Sequence, residues 1–185
     1  MSSTINPWVK RTSRVVYDNP WIRVREDEVT RPDGNPGIYG VVHFKNTAIG
    51  VLPIDENDMV CLVGQYRYAP EIYSWEIPEG GCREGEDHLD AAKRELIEET
   101  GLVAENWRRL GSALLSNSVC DEQAIFYLAT GLRQETASPE GTEQLAYKYV
   151  TFDEVLNMVL SGEITDALSV LTINHYAILR LTGKL

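Results

Sequence analysis

Apolar and polar residues alternate in short segments over the first part of the chain, which predicts strands joined by turns. Charged and apolar side chains alternate from Trp21 to Val29, and the run Arg-Pro-Asp-Gly-Asn-Pro-Gly at 31–37 is typical of a hairpin turn. Two apolar, β-branched segments then follow on either side of a polar turn at 55–58. The predicted strands are 15–17, 21–29, 38–44, 48–54, 59–68, 107–114, 123–129 and 143–150.

Three helices are predicted from their end signals. Asp87 is placed to cap a helix that continues to Thr100, where Gly101 supplies the left-handed residue that commonly ends a helix. Thr151 and Glu154 form a capping box before a second helix, and a third helix is expected at 166–181. Strands mixed with three helices indicate an α+β domain with a mixed sheet packed between helices.

The first predicted helix carries three glutamates on one face. Glu95, Glu98 and Glu99 are three and four residues apart, so their carboxylates are neighbours, while an adjacent face is apolar. An ordinary solvated acidic face is one interpretation of this pattern. The other is a site for divalent cations, since a hard cation such as Mg²⁺ takes oxygen ligands and relieves the repulsion between carboxylates.

Composition narrows the classes of function. The formal charge is −11, from 28 acidic and 17 basic residues, and no basic stripe for nucleic acid is present. No apolar run reaches the roughly 20 residues that span a bilayer, so no membrane partner is expected. The three cysteines have no metal-binding spacing and favour reduced thiols in the cytoplasm.

The residues around the acidic helix identify a family. From Gly80 to Leu102, with Glu86, Arg94, the three glutamates and Gly101 in place, the chain resembles the 23-residue signature of the Nudix hydrolases without a gap. Seven fixed positions make a chance match in one window on the order of one in a billion. The resemblance implies the Nudix fold and hydrolysis of a diphosphate with Mg²⁺, or with Mn²⁺ as an alternative.

The resemblance also implies roles for individual residues. The metal ligands would be Gly80, through a carbonyl there or at Glu79, together with Glu95, Glu98, Glu99 and Glu143. Glu98, Glu99, Glu143 and Arg94 would form the catalytic group, with Arg94 paired to Glu86. The general base stays open between Glu143, Glu99 and the nearby Glu140.

The chain also resembles the ADP-ribose and nucleoside diphosphate sugar pyrophosphatase branch of this family in the strands predicted before residue 45 and in the segments Leu62–Arg67, Trp75–Gly80 and Gly162–Asp166. This likeness implies a homodimer in which residues 1–45 form an N-terminal β segment for dimerisation and substrate contact, with residues 46–185 as the hydrolase domain. The substrate-binding residues would be Trp21, Tyr39, Arg67, Glu76 and Glu122. The segment Ser116-Asn117-Ser118 lacks the proline and glycine usual in ADP-ribose pyrophosphatases, which favours a broader nucleoside diphosphate sugar hydrolase.

Two alternatives remain at this level. One is a Nudix hydrolase of nucleoside triphosphates or dinucleoside polyphosphates. The other is a Nudix-fold sensor that binds a nucleotide without cutting it.

Overall fold

The computed structural model describes residues 5–135 and 145–185. It divides into two compact units, one formed by the described residues up to Asn46 together with Leu114–Glu122, and the other by Thr47–Ala113 and Gln123–Leu185. Within the described residues, no helix combines the length and apolarity that crossing a bilayer requires.

The first unit is a three-stranded antiparallel sheet in the order β1-β2-β3. Its strands are β1 (Val9–Asp18), β2 (Ile22–Thr30) and β3 (Pro36–Phe44). The segment Leu114–Glu122 follows the edge of β3, where Val42 donates to the Val119 carbonyl at 2.9 Å and Asp121 accepts from the Phe44 amide at 3.0 Å. Every residue of β1 is exposed, so this sheet buries little of its first strand within one chain.

The second unit contains two sheets. Its strands are β4 (Thr47–Pro53), β5 (Met59–Arg67), β6 (Ile72–Glu76), β7 (Glu79–Cys82), β8 (Leu102–Leu114), β9 (Gln123–Gln134) and β10 (Ala146–Thr151). One sheet has the order β7-β4-β9-β8 and the other β10-β5-β6. The four-stranded sheet is mixed, because β4 runs parallel to β9 and antiparallel to β7.

Three helices cover these sheets: α1 (His88–Thr100), α2 (Phe152–Ser161) and α3 (Ala167–Leu181). Ile49 and Val51 of β4 share a buried apolar cluster with Ala92 and Leu96 of α1. Between those two strand positions, Leu168 of α3 lies over the Gly50 backbone, so α3 covers the opposite face of β4. The mixed sheet is therefore packed between helices, as the sequence pattern indicates.

The helix ends agree closely with the sequence, whereas the strands do not all do so. Asp87 caps α1, Gly101 ends it in the left-handed conformation, and the Thr151–Glu154 capping box is present. The strand expected at 107–114 begins at Leu102, and the one expected at 123–129 continues to Gln134. The sequence pattern does not predict the short strands β6 and β7, and they lead directly into the candidate site.

Candidate active site

Strand β7 places the backbone of Gly80 against Glu95, the first glutamate on the acidic face of α1. A side chain at position 80 would overlap the Glu95 carboxylate, so glycine is required for the close approach of the two segments. Glu95 is 9% exposed and lies on the side of α1 that faces this backbone. Any Cβ at residue 80 would occupy the space that the Glu95 carboxylate takes.

Arg94 connects Glu86 and the Gly81 backbone to the acidic face of α1. Its Nε and Nη2 donate to the two oxygens of Glu86 at 2.8 and 2.9 Å, and Nη2 also donates to the Gly81 carbonyl at 3.0 Å. Its Nη1 donates to Glu95 at 2.7 Å and to Glu98 at 2.9 Å. A planar guanidinium with five donors suits this role, and it brings Glu95 and Glu98 to one nitrogen.

The Glu86–Arg94 pair is strong enough to alter the acidity of the carboxyl group. Hydrogen bonds from Arg94 lower the pKa of Glu86 from 4.5 to about 2, with a further contribution from the Arg83 amide. The bidentate geometry agrees with the pairing that the sequence resemblance implies. Arg94 is enclosed by protein acceptors, which fits a residue that positions the carboxylates.

Glu99 contacts the backbone at the start of β7. It is 4% exposed, and its Oε2 accepts a hydrogen bond from the Glu79 amide at 3.0 Å. The glutamates of α1 therefore have two anchors, since Arg94 holds Glu95 and Glu98 while the backbone at the start of β7 holds Glu99.

A second group of charges lies on β5, β6 and β7. Arg67 donates through Nε to both oxygens of Glu76 at 3.0 Å, and through Nη2 to Glu76 and to Glu79 Oε1, the latter at 2.6 Å. Carboxylate oxygens of Glu76, Glu79 and Asp166 all lie within 4.8 Å of one another. Burial raises the pKa of Glu79 well above its ordinary value, and the Asp166 and Glu76 carboxylates act in the same direction.

Arg67 and these acids line an open cleft of about 350 Å³. The Arg67 side chain is 36% exposed, whereas that of Glu76 is 3% exposed. Thr165, Asp166 and Ala167, at the start of α3, form another part of the wall. The Ser169 hydroxyl fixes this helix end by accepting from the Ile77 amide at 3.0 Å.

The donor types near α1 are those that a hard divalent cation takes, and in this structure Arg94 holds two of them, Glu95 and Glu98. Glu95, Glu98 and Glu99 offer carboxylate oxygens, and the backbone of Gly80 runs directly against the Glu95 carboxylate. Mg²⁺ and Mn²⁺ prefer such oxygen ligands, and Mg²⁺ is commonly shared between a few carboxylates and substrate phosphates. Glu76, Glu79 and Asp166 form a second group of carboxylates that are close enough together to hold a metal ion.

Comparison with known proteins identifies the family. The NUDIX domain model matches residues 44–168, and the model of the nucleoside diphosphate sugar hydrolase N-terminal domain matches residues 8–42. The chain belongs to the NUDIX domain family. It is a Nudix hydrolase, and the division between the two matches falls close to the end of β3.

Individual Nudix relatives cover most of the chain. The ADP-ribose pyrophosphatase of Mycobacterium tuberculosis is 33% identical over 86% of this chain and 78% of its own length. The CMP-5'-(N-acetyl-N-hydroxy-3-aminopropyl)phosphonate hydrolase of Streptomyces rubellomurinus is 29% identical over 84% of this chain and 75% of its own length. A crystal structure of an ADP compounds hydrolase covers both chains completely with a TM-score of 0.87 at 19% identity, so it supports the Nudix fold.

Two predicted substrate residues lie in the first unit, at different places on its sheet. Trp21 precedes β2 and is 67% exposed. Tyr39 lies opposite Asp27, and its hydroxyl donates to the Ser118 carbonyl at 2.6 Å. Ile22, which follows Trp21, and Asp27, which lies opposite Tyr39, are five positions apart, so these backbone positions are separated by roughly 17 Å along the strand direction.

Tyr39 borders a small cleft within the first unit. Its ring meets that of Trp8 edge to face, with ring centroids 5.3 Å apart. The cleft has a volume of about 350 Å³ and is lined by Asn6, Trp8, Lys10, Arg25, Asp27, Val29 and Tyr39.

Of the remaining predicted acids, one lies in the first unit and the others lie outside the described residues. Glu122 is half-buried in the first unit, and its carbonyl accepts from the Leu115 amide at 3.2 Å. Glu143 and Glu140, the predicted loop acids, lie outside the described residues. Sequence reasoning missed the side chain of Glu79, since the resemblance implies a role for its carbonyl alone. It also gave no role to Asp166, although both acids lie in segments that resemble the pyrophosphatase branch.

Proposed function

We propose that this Nudix hydrolase cuts the diphosphate bond of a nucleoside diphosphate sugar, such as ADP-ribose, ADP-glucose or GDP-mannose, with Mg²⁺. The products would be a nucleoside monophosphate and a sugar phosphate. The observation that carries the proposal is the link between the Arg67 cleft and the carboxylates of α1, which is made by Glu79. A diphosphate suits this arrangement, because a cation held by the helix would neutralise its charge and the exposed arginine would contact its oxygens.

The comparisons support this substrate class. The N-terminal segment matches a model described as the N-terminal domain of nucleoside diphosphate sugar hydrolases. One relative is described as an ADP-ribose pyrophosphatase and another as a hydrolase of a CMP-linked phosphonate. Both of those substrates carry a nucleotide joined through phosphorus to a second group, which is the feature that the proposal assigns here.

The residues of this chain divide the work as follows. Glu95, Glu98, Glu99, the backbone at Gly80 and, by the sequence resemblance, Glu143 would hold Mg²⁺. When bound, Mg²⁺ neutralises the diphosphate and lowers the pKa of a coordinated water. Arg67 would contact diphosphate oxygens from the cleft, and a carboxylate would take the proton of the attacking water. Glu99, Glu143 and the nearby Glu140 stay as the candidates for that base.

Glu76 has a narrower part in the proposal than the sequence resemblance gives it. Its side chain is almost fully buried and occupied by Arg67, so it would orient Arg67 rather than touch the substrate. Burial of a carboxylate is tolerated when a charged partner satisfies it, as Arg67 does here.

We also propose a homodimer in the cytoplasm. The fully exposed strand β1 presents apolar side chains, among them Val15, Val16 and Tyr17, that a second copy would cover. The three cysteines are free, which suits a reducing compartment.

A panel of substrates tests the proposal. Nucleoside diphosphate sugars, nucleoside triphosphates and dinucleoside polyphosphates should be compared by kcat/KM with Mg²⁺, Mn²⁺ and a chelator. We expect nucleoside diphosphate sugars to rank first and the chelator to abolish turnover. Higher kcat/KM for triphosphates or dinucleoside polyphosphates would replace the proposed substrate class, and tight binding without turnover would favour a sensor.

A further inference from the structure

Glu79 touches both halves of the candidate site. Its backbone amide donates to Glu99 Oε2 at 3.0 Å, and its side-chain Oε1 accepts from Arg67 Nη2 at 2.6 Å. Glu79 therefore connects Glu99 on the acidic face of α1 directly to Arg67 in the cleft. Glu79 is the first residue of β7, and β7 pairs with the central strand β4, so its backbone is held by the sheet.

Arg67 is held on one edge of its guanidinium. Glu76 and Glu79 occupy the edge formed by Nε and Nη2. Because the guanidinium is planar and rigid, fixing this edge also fixes the direction of Nη1, the end that Glu76 and Glu79 do not engage. Arg67 lines the cleft and remains 36% exposed, so it can still contact a ligand.

We infer that Glu79 is a positioning residue, which sets Arg67 at a fixed place relative to the carboxylates of α1. The inference rests on the proposed function, because Arg67 is taken to contact the substrate diphosphate. Glu79 rigidly connects Arg67, which would bind the phosphates, to the glutamates of α1, which would bind the cation. Because Arg67 is held in place before the substrate arrives, less order has to be created on binding, which increases affinity for the diphosphate.

The surroundings of Glu79 argue against direct contact with phosphate. Its Oε2 is buried and accepts no hydrogen bond from the described residues. The carboxylates of Glu76 and Asp166 lie beside it, so a phosphate oxygen at Glu79 would meet carboxylate oxygens rather than hydrogen-bond donors. Glu79 therefore acts on an anionic substrate through the Arg67 guanidinium, which it holds by a hydrogen bond.

A double-mutant cycle tests this role. Glu79→Gln, Arg67→Lys and the double variant should be compared with wild type for hydrolysis of ADP-ribose at saturating Mg²⁺. We expect each single variant to raise KM by about 5- to 20-fold with kcat within about threefold, because ground-state binding is lost. The double variant should be within about twofold of Arg67→Lys, since both changes remove the same contact.

Two further variants control for folding. Glu105→Gln alters an exposed glutamate in the same unit, which pairs with Arg133 at 3.5 Å on the surface, and should leave KM and kcat unchanged. Glu79→Ala removes the carboxyl group together with its repulsion from Asp166, and it should show the same rise in KM with a Tm no lower than that of Glu79→Gln.

Two results would overturn the inference. One is additivity, in which Glu79→Gln raises KM in the Arg67→Lys background as much as in wild type. The other is weaker binding of Mn²⁺ to Glu79→Gln without substrate, measured by electron paramagnetic resonance, which would make the acids beside Glu79 a cation site. If wild type cuts no nucleoside diphosphate sugar, the proposed function fails. The cycle is then measured as ADP-ribose affinity by calorimetry, and additivity there still overturns the inference.

Discussion

At the scale of single residues, the clearest electrostatic feature is the pairing of Glu86 with Arg94. The hydrogen bonds from Arg94 lower the pKa of Glu86 from 4.5 to about 2. A carboxyl whose pKa is lower in the folded state stabilises the fold above its unfolded pKa and loses that contribution as the pH falls towards its folded pKa. Glu86 therefore contributes fully above pH 4.5 and progressively less down to about pH 2.

Glu86→Gln should consequently destabilise the protein in a pH-dependent way. The difference in the free energy of unfolding between wild type and Glu86→Gln should be largest near pH 7 and should shrink below about pH 4.5, as measured by urea denaturation. Glu105→Gln, an exposed surface substitution, should cause little change at either pH. A difference that stays constant across this range would show that the Glu86–Arg94 ion pair does not contribute to the stability of the protein.

The same scale shows where the sequence is informative about the site. Glu86, Arg94 and the glutamates of α1 lie within one contiguous segment, so the sequence alone gives their relative placement on a helix. Glu79 and Asp166 are distant in sequence, and it is the packing of α3 beside the β6–β7 connection that brings them together. No local pattern carries that information.

At the scale of elements, the contact between β7 and α1 depends on a missing side chain. Gly80→Ala should force the Glu95 carboxylate away from the β7 backbone. We expect Mn²⁺ affinity, measured by electron paramagnetic resonance, to fall by at least about tenfold, because a metal ligand is displaced. Gly40→Ala is a matched control, since a Cβ there meets no atom within 4 Å. Unchanged Mn²⁺ affinity in Gly80→Ala would place the cation elsewhere.

Elements with strong end signals were predictable, and those formed by tertiary pairing were not. The ends of α1 and α2 follow from Asp87, Gly101 and the Thr151 capping box, which are local interactions. Strand β7 has the sequence Glu-Gly-Gly-Cys, which has low β-propensity, and it is extended because it pairs with β4. Tertiary context therefore determines the part of the chain that holds the acidic helix in place.

At the scale of the whole molecule, the exposed strand β1 predicts association of two copies. Light scattering coupled to gel filtration should give twice the chain mass of 20.8 kDa. Val15→Glu combined with Tyr17→Glu should shift the mass towards one copy, because both side chains are more than half exposed in the single chain and would be buried in the dimer. Leu160→Glu, at an exposed leucine of α2, should leave the mass unchanged. A monomeric wild type would contradict the proposed dimer.

We propose that α1 and the backbone at Gly80 hold the Mg²⁺ with which the protein hydrolyses a nucleoside diphosphate sugar. Phosphorus NMR of ADP-ribose with wild type and Mg²⁺ tests it most directly. We predict that the two diphosphate resonances are replaced by two phosphomonoester resonances, and that Glu98→Gln slows this change by at least about 100-fold. Persistence of the diphosphate with wild type, or a rate for Glu98→Gln within about tenfold of wild type, would contradict the account.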